Sequence, residues 1–156
     1  MTLLEDIKQY EQEHPHTSGT CNTIKRALYD AIIEHKPECV IEIGVSRGAV
    51  TAYLAAALEA NGKGKLISVD NWSQNYGGKA DGPSAACHRV DALGLKGRVR
   101  FVSQDSQRFL REQDGNSAGL VWVDGDHSYE GAKSDVLEAI RVSNTAVGVH
   151  DTSHPH

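Results

Sequence analysis

Between residues 21 and 150 the apolar positions change period repeatedly, and each change marks an element. In "CNTIKRALYDAIIEHK" Ile24, Leu28, Ile32 and Ile33 recur at helical spacing, which predicts an amphipathic helix that Pro37 closes. "CVIEIG" is a short apolar run rich in β-branched residues and ending on glycine, the pattern of a buried strand. "GAVTAYLAAALEANGKG" predicts a helix stopped by Asn61-Gly62, and "KLISVD" a second strand. Gly, Pro and Asn make "NWSQNYGGKADGPS" a loop. A helix near Ser84 to Leu93 follows, then the strand "RVRFVS" and a short helix in "DSQRFLREQ" with Asp105 as a possible N-cap. "GLVWVD" is the fourth strand. "SYEGAKSDVLEAIRV" is a helix expected to turn Val136, Leu137 and Ile140 inward, and "TAVGVH" is the fifth strand.

Strands that alternate with helices and are apolar nearly throughout imply a parallel sheet covered on both faces. Right-handed crossovers then give an open, doubly wound α/β sheet. The expected organisation is a polar leader over residues 1–20, one domain over 21–151 and a tail over 152–156. The leader carries His14 and His16 and is expected to be disordered rather than folded over the site.

Composition narrows the partners. A net charge of −5 with no block of Lys or Arg argues against nucleic acid or an anionic membrane, since both need a basic surface. Three widely spaced cysteines without a CxxC pair suit a reduced, cytoplasmic protein and plain packing roles. The start is too polar for a signal peptide, and "AVTAYLAAALEA" falls far short of the ~20 apolar residues that cross a bilayer.

Chemistry concentrates at the strand ends. Glu42 lies just before Gly44, Asp70 ends the second strand, Asp105 follows the third, Asp124 ends the fourth, and His150-Asp151 ends the fifth. In open α/β sheets the ligand crevice lies outside these carboxyl ends. A single Asp after a strand is an ordinary turn former or cap; five successive strands delivering such groups point to a ligand with hydroxyls, amines or positive charge. In "EIGVSRG" the glycines stand as G-x-x-x-G, which is not the G-x-G-x-x-G dinucleotide fingerprint. Gly44 is expected to let the backbone approach a ligand, and Gly48 to let the helix pack tightly on the strand. Glu42 would repel a pyrophosphate but suit an ammonium or sulfonium. Asp70, about 20 residues on, could accept both hydroxyls of a ribose.

The ordered set "VIEIGVSRGAVTAYLA", "LISVDNW", "VWVDGDHSYEGAKSDV" and a late "HD" resembles the class I S-adenosylmethionine-dependent methyltransferases. The likeness is to the small bacterial branch of methyltransferase domain family 24, over residues 22 to 151. It implies a cofactor site in which Glu42, Gly44, Ser46 and Gly48 line the amino-acid end of S-adenosylmethionine. By the same likeness Asp70, with Asn71 and Trp72 beside it, holds the ribose, Asp105 and Ser106 flank the adenine, and Asp124 borders the cofactor.

Asp124, His150 and Asp151 share one rim and could bind a divalent ion. Related metal-dependent O-methyltransferases similarly pair an acid after the fourth strand with two ligands after the fifth. An all-oxygen set would favour Mg²⁺; the imidazole tilts towards Mn²⁺, Fe²⁺ or Zn²⁺. Such an ion would lower the pKa of a substrate hydroxyl. His127 could take the proton, and Asp126 could orient His127 or contact substrate. The plainer reading of "DGDHSYEG" is a capping turn in which Asp126 or Ser128 caps the helix. Trp122 and Tyr129 are expected to pack. Trp72 could stack on adenine or pack at an edge, and Arg47 could meet the cofactor carboxylate or a surface acid. His154 and His156 could extend a metal site but are expected to lie in a frayed tail.

The chain stops five residues after Asp151, where related enzymes continue with another helix and two antiparallel strands. The fifth strand is therefore expected to be an exposed edge, shielded by a homodimer. The function expected is metal-assisted O-methylation of a small hydroxylated molecule such as a sugar or phenol. The alternatives are a catalytically inactive cofactor-binding or interaction domain, and an NAD or nucleotide-sugar Rossmann enzyme. The missing third glycine and the acid at Glu42 weigh against the last of these.

Overall fold

In the computed structural model, which describes residues 2–15, 20–73 and 82–151, each apolar run becomes a parallel strand. They are β1 (Cys39–Ile43), β2 (Lys65–Asp70), β3 (Val99–Ser103), β4 (Ala118–Val123) and β5 (Ser143–Val149). Their order in the sheet is β3-β2-β1-β4-β5, with every pairing parallel. Chain order reverses between β1 and β4, so the crevice outside their carboxyl ends is the expected ligand position. This is the Rossmann-like, doubly wound sheet that the periodicity implied.

The helices are α1 (Leu3–Glu13), α2 (Asn22–His35), α3 (Ala49–Ala60), α4 (Gly82–Ala92), α5 (Ser106–Arg111) and α6 (Tyr129–Val142), with a 3₁₀ turn over Lys96–Arg98. Alternation along β1 explains the two layers. Val40 joins the core of α2 and α3, with Leu28, Ile32, Leu54 and Trp122, whereas Ile41 and Ile43 join the opposite core, with Phe109, Leu110, Ala139 and Val142.

Three expectations are corrected. The leader is not disordered over residues 3–13: α1 opens with a capping box between Thr2 and Glu5 and buries Ile7 completely. A single well-placed Ile in an otherwise polar stretch is a weak signal, and it hid the helix. On α6, Leu137 (60% exposed) and Ile140 (59%) face outward, and so does Tyr129 (68%). The inner face carries Gly131, Asp135, Ala139 and Val142, and Val136 packs against the same core as expected. Small residues there allow α6 to lie close to the sheet, and apolar character alone misassigned the face. Trp122 packs as expected, 3% exposed. His16, His154, His156 and loop residues 74–81 lie outside the described residues.

Candidate functional site

The carboxyl ends of β1, β2, β4 and β5 meet through backbone ties. The amide of Gly44 donates to the Val69 carbonyl, that of Asp124 to Ile43, and that of His150 to Val123. Gly44 has φ +84°, and a Cβ there would stand 2.0 Å from the Asp124 carbonyl oxygen. Its glycine is thus demanded by the close approach of the β1 and β4 loops. Gly48, at φ +74°, caps α3 and lies against Ala86 of α4, so the close helix contact is with α4.

Asp70 pins the glycine loop. Its Oδ2 accepts from the amides of Val45 (2.8 Å) and Ser46 (3.0 Å), and its Oδ1 from Trp72 (2.7 Å). A carboxylate offers about four acceptor positions, so room for a hydroxyl persists beside this loop-holding role, which sequence spacing does not reveal. Ser46 is exposed at φ +50°, and Asn71 is exposed beside it, its side chain turned to Ser73. Trp72 packs its ring edge where Gly82 begins α4.

Glu42 lies on the inner face of β1, wholly buried beneath α3. Its Oε2 accepts from Thr51 (2.8 Å) and Ser68 (2.6 Å), while its buried Oε1 has no partner. Burial pushes its carboxyl up to about 8, against the lowering effect of the two hydroxyls. Asp105 caps α5 through the Arg108 amide, and Ser106 donates to Asp135. Asp135 is buried on α6 and pushed up to about 6, chiefly by burial.

The second cluster stands at β4 and β5. A cavity is lined by Val123, Asp124, Gly125, Asp126, His127, Ala132, Val149, His150 and Asp151. His150 Nδ1 lies 3.1 Å from Asp124 Oδ1 and 3.1 Å from Asp151 Oδ1, and His127 Nδ1 lies 3.6 Å from Asp151 Oδ2. Neither approach to His150 has hydrogen-bond geometry, so its buried Nδ1 is left without a hydrogen bond. Burial raises the Asp124 carboxyl above its ordinary value, while His150, Thr20 and His127 pull it back. Thr20, which the sequence reading passed over, donates to Asp124 Oδ2 at 3.2 Å across 104 residues of chain.

In "DGDHSYEG" Ser128 caps α6 by accepting from the Gly131 amide, and Asp126 accepts from the Ser128 amide. A Cβ on Gly131 would stand 2.0 Å from Asp126 Oδ2. Asp126 is therefore held by the capping turn, and His127 is left half-exposed at the mouth of the cavity.

Among the described residues no group of three or more His, Cys, Asp or Glu is already arranged to hold a metal ion. The donors at β4 and β5 nevertheless suit one chemically: a buried imidazole nitrogen lacking a hydrogen bond, faced by two carboxylate oxygens. Ligands about 2.1 Å from a hexacoordinate ion stand roughly 3 Å apart, and rotation of the two carboxylates would be needed to bring all three onto one ion.

A family model described as a methyltransferase domain matches residues 41–152. The chain belongs to this methyltransferase domain family. The match runs from β1 through Asp151 and so contains both clusters. No curated protein matches the domain significantly. Among solved structures it is similar to the O-methyltransferase TomG of Streptomyces achromogenes, solved in complex with SAM. There the identity is 18%, coverage 99% of this chain and 71% of that one, and the TM-score 0.68. It is also similar to an O-methyltransferase of Bacillus cereus in complex with SAH (17%, 91% and 61%, TM-score 0.64). A methyltransferase of Geobacter sulfurreducens matches at 19%, 95% and 70%, with TM-score 0.67. At these identities the likeness establishes the methyltransferase fold. The domain spans about three fifths of the length of several structures it matches. Among its described residues no helix is long and apolar enough to cross a membrane.

Proposed function

We propose that this methyltransferase domain binds S-adenosylmethionine in the crevice between β1 and β4 and transfers its methyl group to a hydroxyl of a small acceptor such as a sugar or phenol. The observation that carries this reading is the convergence of Asp124, His127, His150 and Asp151 on one cavity beside the switch point. Family membership favours a methyl donor over NAD or a nucleotide sugar. The cofactor-binding residues would be Glu42, Gly44, Ser46, Gly48, Asp70, Asn71, Trp72, Asp105, Ser106 and Asp124.

The sulfonium already activates the methyl group, so the domain's work is to supply a good oxygen nucleophile in line with the carbon–sulfur bond. The acceptor oxygen attacks the methyl carbon, and the carbon–sulfur bonding pair stays on sulfur as S-adenosylhomocysteine. His127 would take the hydroxyl proton, with Asp151 3.6 Å away to orient the ring. Asp126, tied to the capping turn, would keep His127 at the mouth of the cavity. Asp124, His150 and Asp151 would hold a divalent ion (Mg²⁺, Mn²⁺, Fe²⁺ or Zn²⁺). When bound, such an ion supplies Lewis-acid polarisation that makes the hydroxyl more acidic.

Calorimetry with S-adenosylmethionine, S-adenosylhomocysteine and NAD, each with and without Mg²⁺ or Mn²⁺, tests the cofactor. A panel of phenols and sugars, read by S-adenosylhomocysteine release, tests the transfer. Asp151→Ala should abolish turnover with cofactor affinity nearly unchanged, and Asp124→Ala should abolish turnover and also weaken cofactor binding. Cofactor binding without turnover on any acceptor would favour an inactive binding domain, and NAD binding alone would refute the reading.

A further inference from the structure

Asp70 holds the glycine loop over residues 45–48 at its amides, through Val45 and Ser46. Ser46 stands there at φ +50°, a left-handed conformation that a residue other than glycine keeps only where its surroundings over-determine it. Helix α4 lies along the same loop. A Cβ on Gly82 would stand 3.2 Å from the Ser46 carbonyl oxygen, and one on Gly48 would stand 3.0 Å from the Ala86 Cα. One turn further along α4, the Nε of Arg89 donates to the Arg47 carbonyl at 3.2 Å.

Arg89 is 3% exposed, and one of its terminal guanidinium nitrogens is buried without a hydrogen bond. Glu11 of α1 is engaged by Lys25 at 2.7 Å, and among the described residues Arg89 makes no ion pair. Its cover is the Tyr10 ring of α1, whose centroid lies 5.0 Å from the guanidinium carbon. Burying a charge with so few partners is costly, and an apolar side chain of similar length would fill the space at lower cost. An apolar chain could not donate to the Arg47 carbonyl. That carbonyl belongs to the peptide that leads into Gly48, the N-cap of α3, and the Gly48 amide donates to Val45 at 2.9 Å. Asp70 at the amides and Arg89 at the carbonyl together fix the loop backbone.

We propose that Arg89 is a positioning residue for the amino-acid end of the methyl donor: its Nε–H holds the Arg47 carbonyl, and with it the loop, in the conformation that receives the methionine part. The inference rests on the function proposed above, in which Ser46 and Gly48 line the cofactor. Its test separates donor from charge. Glutamine carries its amide nitrogen as many bonds from the backbone as the arginine Nε, so Arg89→Gln keeps a donor there and removes the charge. Arg89→Lys keeps the charge and puts a methylene at that place, and Arg89→Met removes both. Each full-length variant is titrated by calorimetry with S-adenosylhomocysteine and with 5′-methylthioadenosine, which lacks the amino-acid part. The ¹⁵N amide resonance of Gly48 is followed without ligand.

Arg89→Lys and Arg89→Met should bind S-adenosylhomocysteine about 10-fold more weakly, the scale of one hydrogen bond lost from a charged donor. Their affinity for 5′-methylthioadenosine should be unchanged, and the Gly48 resonance should shift. Arg89→Gln should stay within about threefold of the unaltered chain for both ligands, with the Gly48 resonance close to its original place. A merely structural role would weaken both ligands alike or neither, and either result overturns the inference. A loss in Arg89→Gln equal to that in Arg89→Lys overturns it too. If Arg89→Met does not fold, the glutamine and lysine variants decide by the same criteria. If the unaltered chain binds no S-adenosylhomocysteine, the proposed function falls. Arg89 is then judged by the Gly48 resonance alone, a shift in Arg89→Lys that is absent from Arg89→Gln supporting the hold on the loop and no such contrast refuting it.

Discussion

Glu42 shows how one buried carboxyl sets stability against function. Its pKa rises from 4.5 to about 8 on folding, so the folded chain binds a proton more tightly than the unfolded chain does. Stability is therefore highest near and below pH 4.5, falls as pH climbs through about 8, and carries the full cost above that. At 1.36 kcal/mol per unit, the cost is on the order of a few kcal/mol. Glu42→Gln keeps the two hydroxyl partners and removes the charge. Its melting temperature should exceed that of the unaltered chain at pH 8 and match it near pH 4.5. If the carboxylate serves the cofactor's ammonium, the same variant should bind S-adenosylmethionine more weakly. Asp135, raised to about 6 over a Ser106 hydroxyl, is the control. Asp135→Asn should be stabilising at pH 7 and neutral near pH 3.8, by the same sign. A Glu42→Gln chain no more stable at pH 8 than the unaltered one would mean the buried acid has a partner or water not represented by its two hydroxyls.

The elements follow the sequence closely wherever burial has a period. All five strands lie within about two residues of the β-branched runs, and the signal is clearest in β1 and β4, where a strand covered on both faces is buried at nearly every position. The glycine loop and DGDHSYEG were legible as motifs, but the duties of their residues were not. Gly44 answers to the Asp124 carbonyl, Asp70 to three backbone amides, and Gly131 to the Asp126 carboxylate. Each is a contact between segments distant along the chain or a turn closing on itself, and periodicity carries neither. Thr20 is the extreme case, since nothing within 104 residues of Asp124 marks it. The helix start of α6 is accordingly testable by two substitutions. Ser128→Ala removes the cap and should cost about 1 kcal/mol in chemical denaturation. Gly131→Ala forces the Asp126 carboxylate off the first turn, so it should also displace His127 and reduce turnover more than Ser128→Ala does. Equal activity in both variants would separate the capping turn from the chemistry.

At the scale of the whole molecule, β5 is an edge of the sheet among the described residues, seven residues long and paired with β4 on one side. The neighbouring helix exposes Tyr129, Leu137 and Ile140, with Lys133 lying over the Tyr129 ring. An open strand edge and exposed apolar side chains on one helix favour association. A second copy of the chain is the partner we propose, because edge strands of identical chains can pair about a two-fold axis with each edge satisfying the other. Ala146, Val147 and Val149 supply a half-buried apolar strand for that contact, and Asn144 and Thr145 are the polar residues at its start. Sedimentation velocity at micromolar concentration should show a dimer. Leu137→Glu combined with Ile140→Glu should weaken it if α6 shares the interface, since each places a charge where apolar contact would be lost. The same pair of substitutions lies on the solvent face of α6, so the monomeric fold should survive and melt at a similar temperature. A monomer in the unaltered chain would refute self-association through β5. A dimer indifferent to the two glutamates would confine the contact to the strand edge, and protection of the β5 amides from hydrogen exchange on dilution would then follow the dimer population.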